Sequence, residues 1–173
     1  MHSLEQPASD VKLPDRVRAA RLLDSAGQVL IVRSARPRKD GRRTFEARAV
    51  ITSSDRALLE WLRNLWGGWA FNPRWASPQS WYWLVKSRRE ATDFLRVVRP
   101  FASVQKPWIE STLEFLDFQG SQPPRRRLST EAYLQQVSMH ERQQALRNLK
   151  AGKAPLRVLP DPELLEDADR GAS

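Results

Sequence analysis

With 173 residues and a hydrophobic fraction of 40%, the chain can bury the core of one domain, with tails or a small appendage beside it. Its formal net charge of +9 favours a polyanionic partner, nucleic acid before acidic membrane. The absence of cysteine excludes disulfides, thiolate metal sites and cysteine nucleophiles, and no apolar run approaches the ~20 residues of a membrane span.

Residues 1–13 read as a disordered lead-in without the character of a secretory signal, so an intracellular protein is expected, cytoplasmic or nucleoid-associated. Pro14 and Asp15 suit a first helical turn, and the helix runs through Val17, Ala20, Leu23 and Asp24. Gly27 is expected to close it in the left-handed conformation. Residues 28–36 form a β-branched strand, residues 37–42 a turn carrying Asp40-Gly41, and residues 43–52 a second strand. In that second strand Phe45, Ala47, Ala49 and Ile51 share one face; Thr44, Glu46, Arg48, Val50 and Thr52 make the other, which reads as mostly polar.

Ser53-Ser54-Asp55 caps a helix with Leu58, Leu59, Leu62 and Leu65 on its apolar face, and Gly67-Gly68 ends it. Residues 69–71 and 81–85 make a second hairpin across a loop holding Pro73 and Pro78. Ser87 caps a third helix over 88–98, which Pro100 stops, and a fourth helix fits 104–118. The expected fold is α+β, a saddle of four antiparallel strands with helices on one face, over residues 14–120. Residues 121–127 then form an arginine- and proline-rich linker. A helix over 129–150 offers a protein-interaction module, and an acidic, proline-rich tail from 151 reads as disordered.

The stretch Ala20-Arg21-Leu22-Leu23-Asp24-Ser25-Ala26-Gly27 resembles the LAGLIDADG motif of homing endonucleases and intron maturases. The alanine, the leucine pair, the first aspartate and the final glycine match. The likeness extends through Ile51-Thr52-Ser53-Ser54-Asp55, Leu58-Leu59, Gly67-Gly68, Trp81, Trp83 and Pro100-Phe101 to Leu113-Glu114-Phe115, about residues 14–118. It implies an αββαββα order. It also implies that Ala26 occupies the position of the aspartate that holds divalent metals, and Gln105 that of a pocket lysine. Asp24, the remaining carboxylate, is chiefly structural in that family. One copy of the motif implies a homodimer, with Ala20, Arg21 and Asp24 at its seam. Arg21 replaces a glycine there, and an arginine in such a seam costs roughly 1–3 kcal/mol by overpacking.

Cations crowd the first hairpin: Arg33, Arg36, Arg38, Lys39, Arg42, Arg43 and Arg48, opposed by Asp40 and Glu46. A two-stranded ribbon fits the major groove, where arginine reads guanine edges or clamps phosphate. Gln28 and Glu46 join this expected DNA-binding face, and Arg74, Tyr82 and Lys86 extend it onto the second hairpin. Most of the seven tryptophans read as core, Trp75 least so. His2 and His140 read as exposed, and no residues read as a metal site.

The expected protein therefore binds double-stranded DNA with phosphodiester cleavage weakened or lost, and needs no cofactor in that case. One alternative is a working endonuclease using Mg2+ with displaced carboxylates, Asp24 or Glu46. Another is a maturase-like factor whose partner is structured RNA.

Overall fold

The computed structural model describes residues 10–123 and 128–151. The disorder expected over 1–9 and from 152 onward, and most of the expected linker, lie outside the described residues.

Among the described residues nine elements follow one another: α1 (Leu13–Ala26), β1 (Gly27–Arg33), β2 (Phe45–Ser53), α2 (Arg56–Trp66), β3 (Trp69–Phe71), β4 (Trp81–Val85), α3 (Arg88–Val98), α4 (Lys106–Ser121) and α5 (Thr130–Ala151). The strands form one antiparallel sheet in the order β1-β2-β4-β3. The α+β saddle is thus present. Local chemistry places its helix starts. Asp55 accepts hydrogen bonds from the backbone N–H groups of Ala57 and Leu58, and Ser87 accepts one from Glu90, so each satisfies donors that have no partner within the helix.

Gly27 corrects an expectation. Its φ of −119° and ψ of 170° are extended, because β1 begins on it without a turn. A side chain is excluded there by crowding: a Cβ would sit 2.7 Å from Leu23 Cδ1 and 2.8 Å from the Leu23 carbonyl oxygen. The left-handed backbone occurs at Gly67 and Gly68, with φ of 76° and 78°, where α2 gives way to β3.

The register pairs Val29 with Ala49, Ile31 with Ala47 and Ile51 with Trp83. These residues, with Phe45 and Val85, face the helices and form the core with Leu23, Leu59, Leu62, Phe94, Ile109 and Phe115. The opposite face departs from the mostly polar surface expected of it. Leu30 and Val32 from β1, Val50 from β2 and Leu84 from β4 lie there, 7%, 7%, 1% and 6% exposed, and none belongs to the core cluster. The alternation of β2 hid this, because three of the four apolar residues are its neighbours' or lie beside it across the sheet.

The helix expected over 129–150 is present as α5 and packs against the rest of the chain. Ala132 and Met139 of α5 are buried, and Met139 belongs to the core cluster. Gln143, fully buried, accepts a hydrogen bond from the Ile31 backbone N–H and donates to Ser111 Oγ at 3.0 Å and Thr112 Oγ1 at 2.8 Å. One amide thus joins β1, α4 and α5. The Ile31 N–H lies on the open edge of β1, so α5 also satisfies a donor that an edge strand would otherwise leave free for another chain.

Candidate nucleic-acid interface

The end of α1 brings together the positions singled out by the motif. Asp24 Oδ2 accepts from the Ser103 backbone N–H at 2.8 Å and from Ser103 Oγ at 3.2 Å; Oδ1 accepts from the Gln105 N–H at 2.8 Å. Gln105 Nε2 donates to the Gly27 carbonyl at 3.1 Å, and Thr52 Oγ1 donates to the Ala26 carbonyl at 3.2 Å. Ala26 and Gln105 therefore flank one spot, at the first residue of β1.

These residues do not fit a divalent cation. Hard cations take several oxygen ligands, carboxylates foremost. Ala26 supplies no side-chain oxygen, and both oxygens of Asp24 already accept hydrogen bonds within the chain. Glu46, considered as a displaced carboxylate, is placed elsewhere. It pairs with Val32, whereas Gly27 pairs with Ile51, five positions along β2, or about 17 Å at ~3.4 Å per residue. Among the described residues, no group of three or more histidines, aspartates and glutamates is placed to hold a metal ion.

Of the three residues expected at a dimer seam, Arg21 alone is exposed. Ala20 is fully buried in the chain's own core, and Asp24 is tied to residues 103–105. The outward side of α1 instead carries an open groove of about 580 Å³ lined by Leu13, Pro14, Val17, Arg18, Arg21, Leu22 and Ser25.

Arg33 apart, the cations of the hairpin divide into three groups, so they do not make the continuous ribbon face expected of them. Arg36, Arg38 and Lys39 are exposed in the connection between β1 and β2, where Gly41 N–H closes a turn on the Arg38 carbonyl at 2.9 Å. Arg42 and Arg43 are turned inward. Arg42 donates to the Leu128 carbonyl at 2.8 Å and to Thr130 Oγ1 at 2.9 Å, with its guanidinium over the Tyr133 ring; Arg43 donates to the carbonyls of Ser34 and Ala35. Arg48, 3% exposed, is ion-paired with Glu46.

Arg33 is a correction of side. It shares the strand face of Val29 and Ile31, so it projects toward the helices rather than the opposite surface, and its charge is felt at His140 on α5. Gln28 lies on the opposite face and accepts from Arg147 Nη2 at 3.2 Å. On the second hairpin, Tyr82 stacks with Phe71, Lys86 lies over the Trp69 ring, and Arg74 is exposed in the loop.

His140 is also corrected, from exposed to half-buried, with its ring 5.3 Å from that of Phe45. Burial lowers its pKa from the ordinary 6.5, and the Arg33 and Arg147 charges lower it further, against an opposing effect of Glu141. The folded state therefore favours the neutral ring. Its contribution to stability is complete above the ordinary value and is lost as pH falls through the folded one. Thermal unfolding followed from about pH 7.5 down to about pH 5 should show a decline in Tm that is shallower in His140→Gln. Two parallel profiles would refute this.

Sequence reasoning missed Gln143 and Arg147. Both are polar residues within a helix, and nothing local distinguishes a buried amide from an exposed one.

No family model matches the chain, and no curated protein does. Solved structures do. The homing endonuclease I-CvuI, in complex with the I-CreI target, is similar over 91% of this chain and 94% of its own, with a TM-score of 0.66 at 9% identity. The archaeal intron-encoded homing endonuclease I-Vdi141I, complexed with DNA, is similar over 90% and 95%, with a TM-score of 0.65 at 12% identity. The LAGLIDADG homing endonuclease I-GzeII, with its DNA target, is similar over 87% of this chain and 56% of its own, with a TM-score of 0.59 at 16% identity. The octet at the end of α1, the strand order and these likenesses agree: the chain has the fold of the LAGLIDADG homing endonucleases.

Proposed function

We propose that this chain binds duplex DNA and has lost the metal-dependent cleavage associated with its fold. The observation that carries the reading is the exposed cationic tip of the first hairpin, Arg36, Arg38 and Lys39, on a scaffold whose solved neighbours hold DNA. Long flexible cations at a loop tip suit phosphate contacts, which give affinity and orientation more than sequence choice. Arg74 offers a further cation on the second hairpin. The loss of cleavage is supported by Ala26 and by the full occupation of Asp24. Pairing of two copies through the outward groove of α1 would present two such hairpins to one duplex, with Arg21 at the edge of the contact.

Fluorescence anisotropy with a labelled duplex, repeated across salt concentrations, tests this. Binding should weaken with salt, by about 0.9 in log–log slope for each phosphate contacted. The triple replacement of Arg36, Arg38 and Lys39 by alanine should flatten that slope by roughly 2–3. Absence of duplex binding at low salt would end the reading. Plasmid nicking that requires magnesium would replace it with the endonuclease alternative, and tighter binding to structured RNA in competition would replace it with the maturase-like one.

A further inference from the structure

A cavity of about 130 Å³ lies where the connection between β1 and β2 meets the end of α4 and the first turns of α5. Its walls include Arg38, Arg42 and Arg43 from the connection, and Tyr133 and Gln136 from α5. Asp40 is the one carboxylate among the described residues that line it. Two half-buried guanidiniums, those of Arg42 and Arg43, thus border a common space, where their like charges repel unless an anion lies between them.

The walls have donors to give. Arg42 bonds to the Leu128 carbonyl and Thr130 Oγ1, and Arg43 to the carbonyls of Ser34 and Ala35. A guanidinium fork carries more N–H groups than those bonds use. The Tyr133 hydroxyl accepts from the Arg43 backbone N–H at 3.5 Å, which leaves its own proton to donate. Gln136 is the residue that points to a ligand. It is 4% exposed, and its amide makes no hydrogen bond with any described residue. A buried amide without a protein partner is costly, and here it borders a cavity that can supply one.

We propose that the cavity binds one hydrogen phosphate ion, held by Arg42, Arg43, Tyr133 and Gln136. Size and chemistry select it. Pockets for organic ligands begin near ~300 Å³, so a nucleotide does not enter whole. At ~30 Å³ per water the space equals about four waters, which suits a single tetrahedral oxyanion. Three arginines against one aspartate disfavour a cation, and guanidinium forks match phosphate geometry. Asp40 and the carbonyl oxygen of the Gln136 amide are acceptors. They suit the hydroxyl of hydrogen phosphate, which sulfate lacks near neutral pH. The site does not depend on the DNA-binding reading: Arg38 apart, its residues are not among the exposed cations of the hairpin tip.

The test titrates the isotope-labelled full chain with sodium phosphate at constant ionic strength near neutral pH. The Gln136 side-chain amide and the Nε–H resonances of Arg42 and Arg43 should move together and saturate, with half-saturation at about 1 mM or below. Sulfate and methyl phosphate should bind at least about tenfold more weakly, since neither carries the hydroxyl proton at that pH. No saturable movement by about 20 mM phosphate would overturn the site. Movement confined to the exposed Arg36, Lys39 and Arg74 would do the same, by assigning the response to a loose ion atmosphere. Equal affinity for sulfate would overturn the choice of a protonated oxyanion. Equal affinity for methyl phosphate would overturn the free ion in favour of a phosphomonoester end. Gln136→Leu keeps the side-chain volume and removes an amide that has no protein partner, so it should fold with an undiminished Tm and lose phosphate affinity about tenfold. Gln136→Glu sets a carboxylate against the anion and should abolish binding. Native affinity in both variants would overturn the role of Gln136, and if either fails to fold, the titration of the native chain decides by itself.

Discussion

Asp24→Ala should lower the stability of the fold by about 2–4 kcal/mol, read as a fall in the midpoint of urea unfolding at neutral pH. The carboxylate ties the end of α1 to the loop leading into α4. Its three bonds reach Ser103 N–H, Ser103 Oγ and Gln105 N–H. A buried hydrogen bond to a charged acceptor contributes roughly 1.5–3 kcal/mol net of exchange with water. Ser103 is exposed, so water replaces part of what is lost there; Gln105 is half-buried and recovers less. Asp24→Asn keeps one acceptor oxygen and should lose about half as much. Both variants should also free Gln105 from its bond to the Gly27 carbonyl, making the 99–105 connection more sensitive to protease. An unchanged midpoint in Asp24→Ala would show that solvent carries this junction. That outcome would reopen Asp24 as a residual functional carboxylate.

Trp83→Ala should be more damaging, at about 3–5 kcal/mol. Trp83 is fully buried in β4, packs edge-on against Phe94 of α3 with ring centroids 4.8 Å apart, and donates from Nε1 to the Gly67 carbonyl at 2.9 Å. Truncation leaves a cavity between sheet and helix and an unsatisfied carbonyl at the α2–β3 junction. That junction cannot adjust easily. Gly67 and Gly68 hold positive φ, and the space above Gly68 is closed by the Leu84 carbonyl, 2.5 Å from where a Cβ would lie. Trp83→Phe restores most of the volume without the donor and should cost about 1–2 kcal/mol. Thermal or urea unfolding of the pair separates packing from hydrogen bonding. Equal losses in both variants would mean that the Nε1 bond, not the ring volume, carries the effect.

Much of the framework could be read from residues alone, and for local reasons. Asp55 and Ser87 announce helices because a short side-chain oxygen can meet backbone donors two or three residues ahead. Gly67-Gly68 announces the end of α2 because few other residues tolerate positive φ. Phe45, Ala47, Ala49 and Ile51 announce a strand because alternate residues share a face. The ordered recurrence of such signals, with the octet ending at Gly27, carried the resemblance to the LAGLIDADG fold at a level of identity where no family model matches.

What each cation faces was not legible in this way. Arg33, Arg42, Arg43 and Arg48 are chemically alike along the chain. Yet one lies on the helix side, two are spent on nearby carbonyls and one is buried against Glu46. Composition and short-range pattern suffice for the element order, the helix caps and the excess of positive charge, since each depends on neighbours within a few residues. The partner of Asp24, the role of Gln143 and the apolar patch on the outer sheet face depend on strands and helices up to 112 positions apart. Such contacts come into being when the sheet pairs and α5 docks, because burial and hydrogen bonding are properties of the packed chain rather than of any stretch of it.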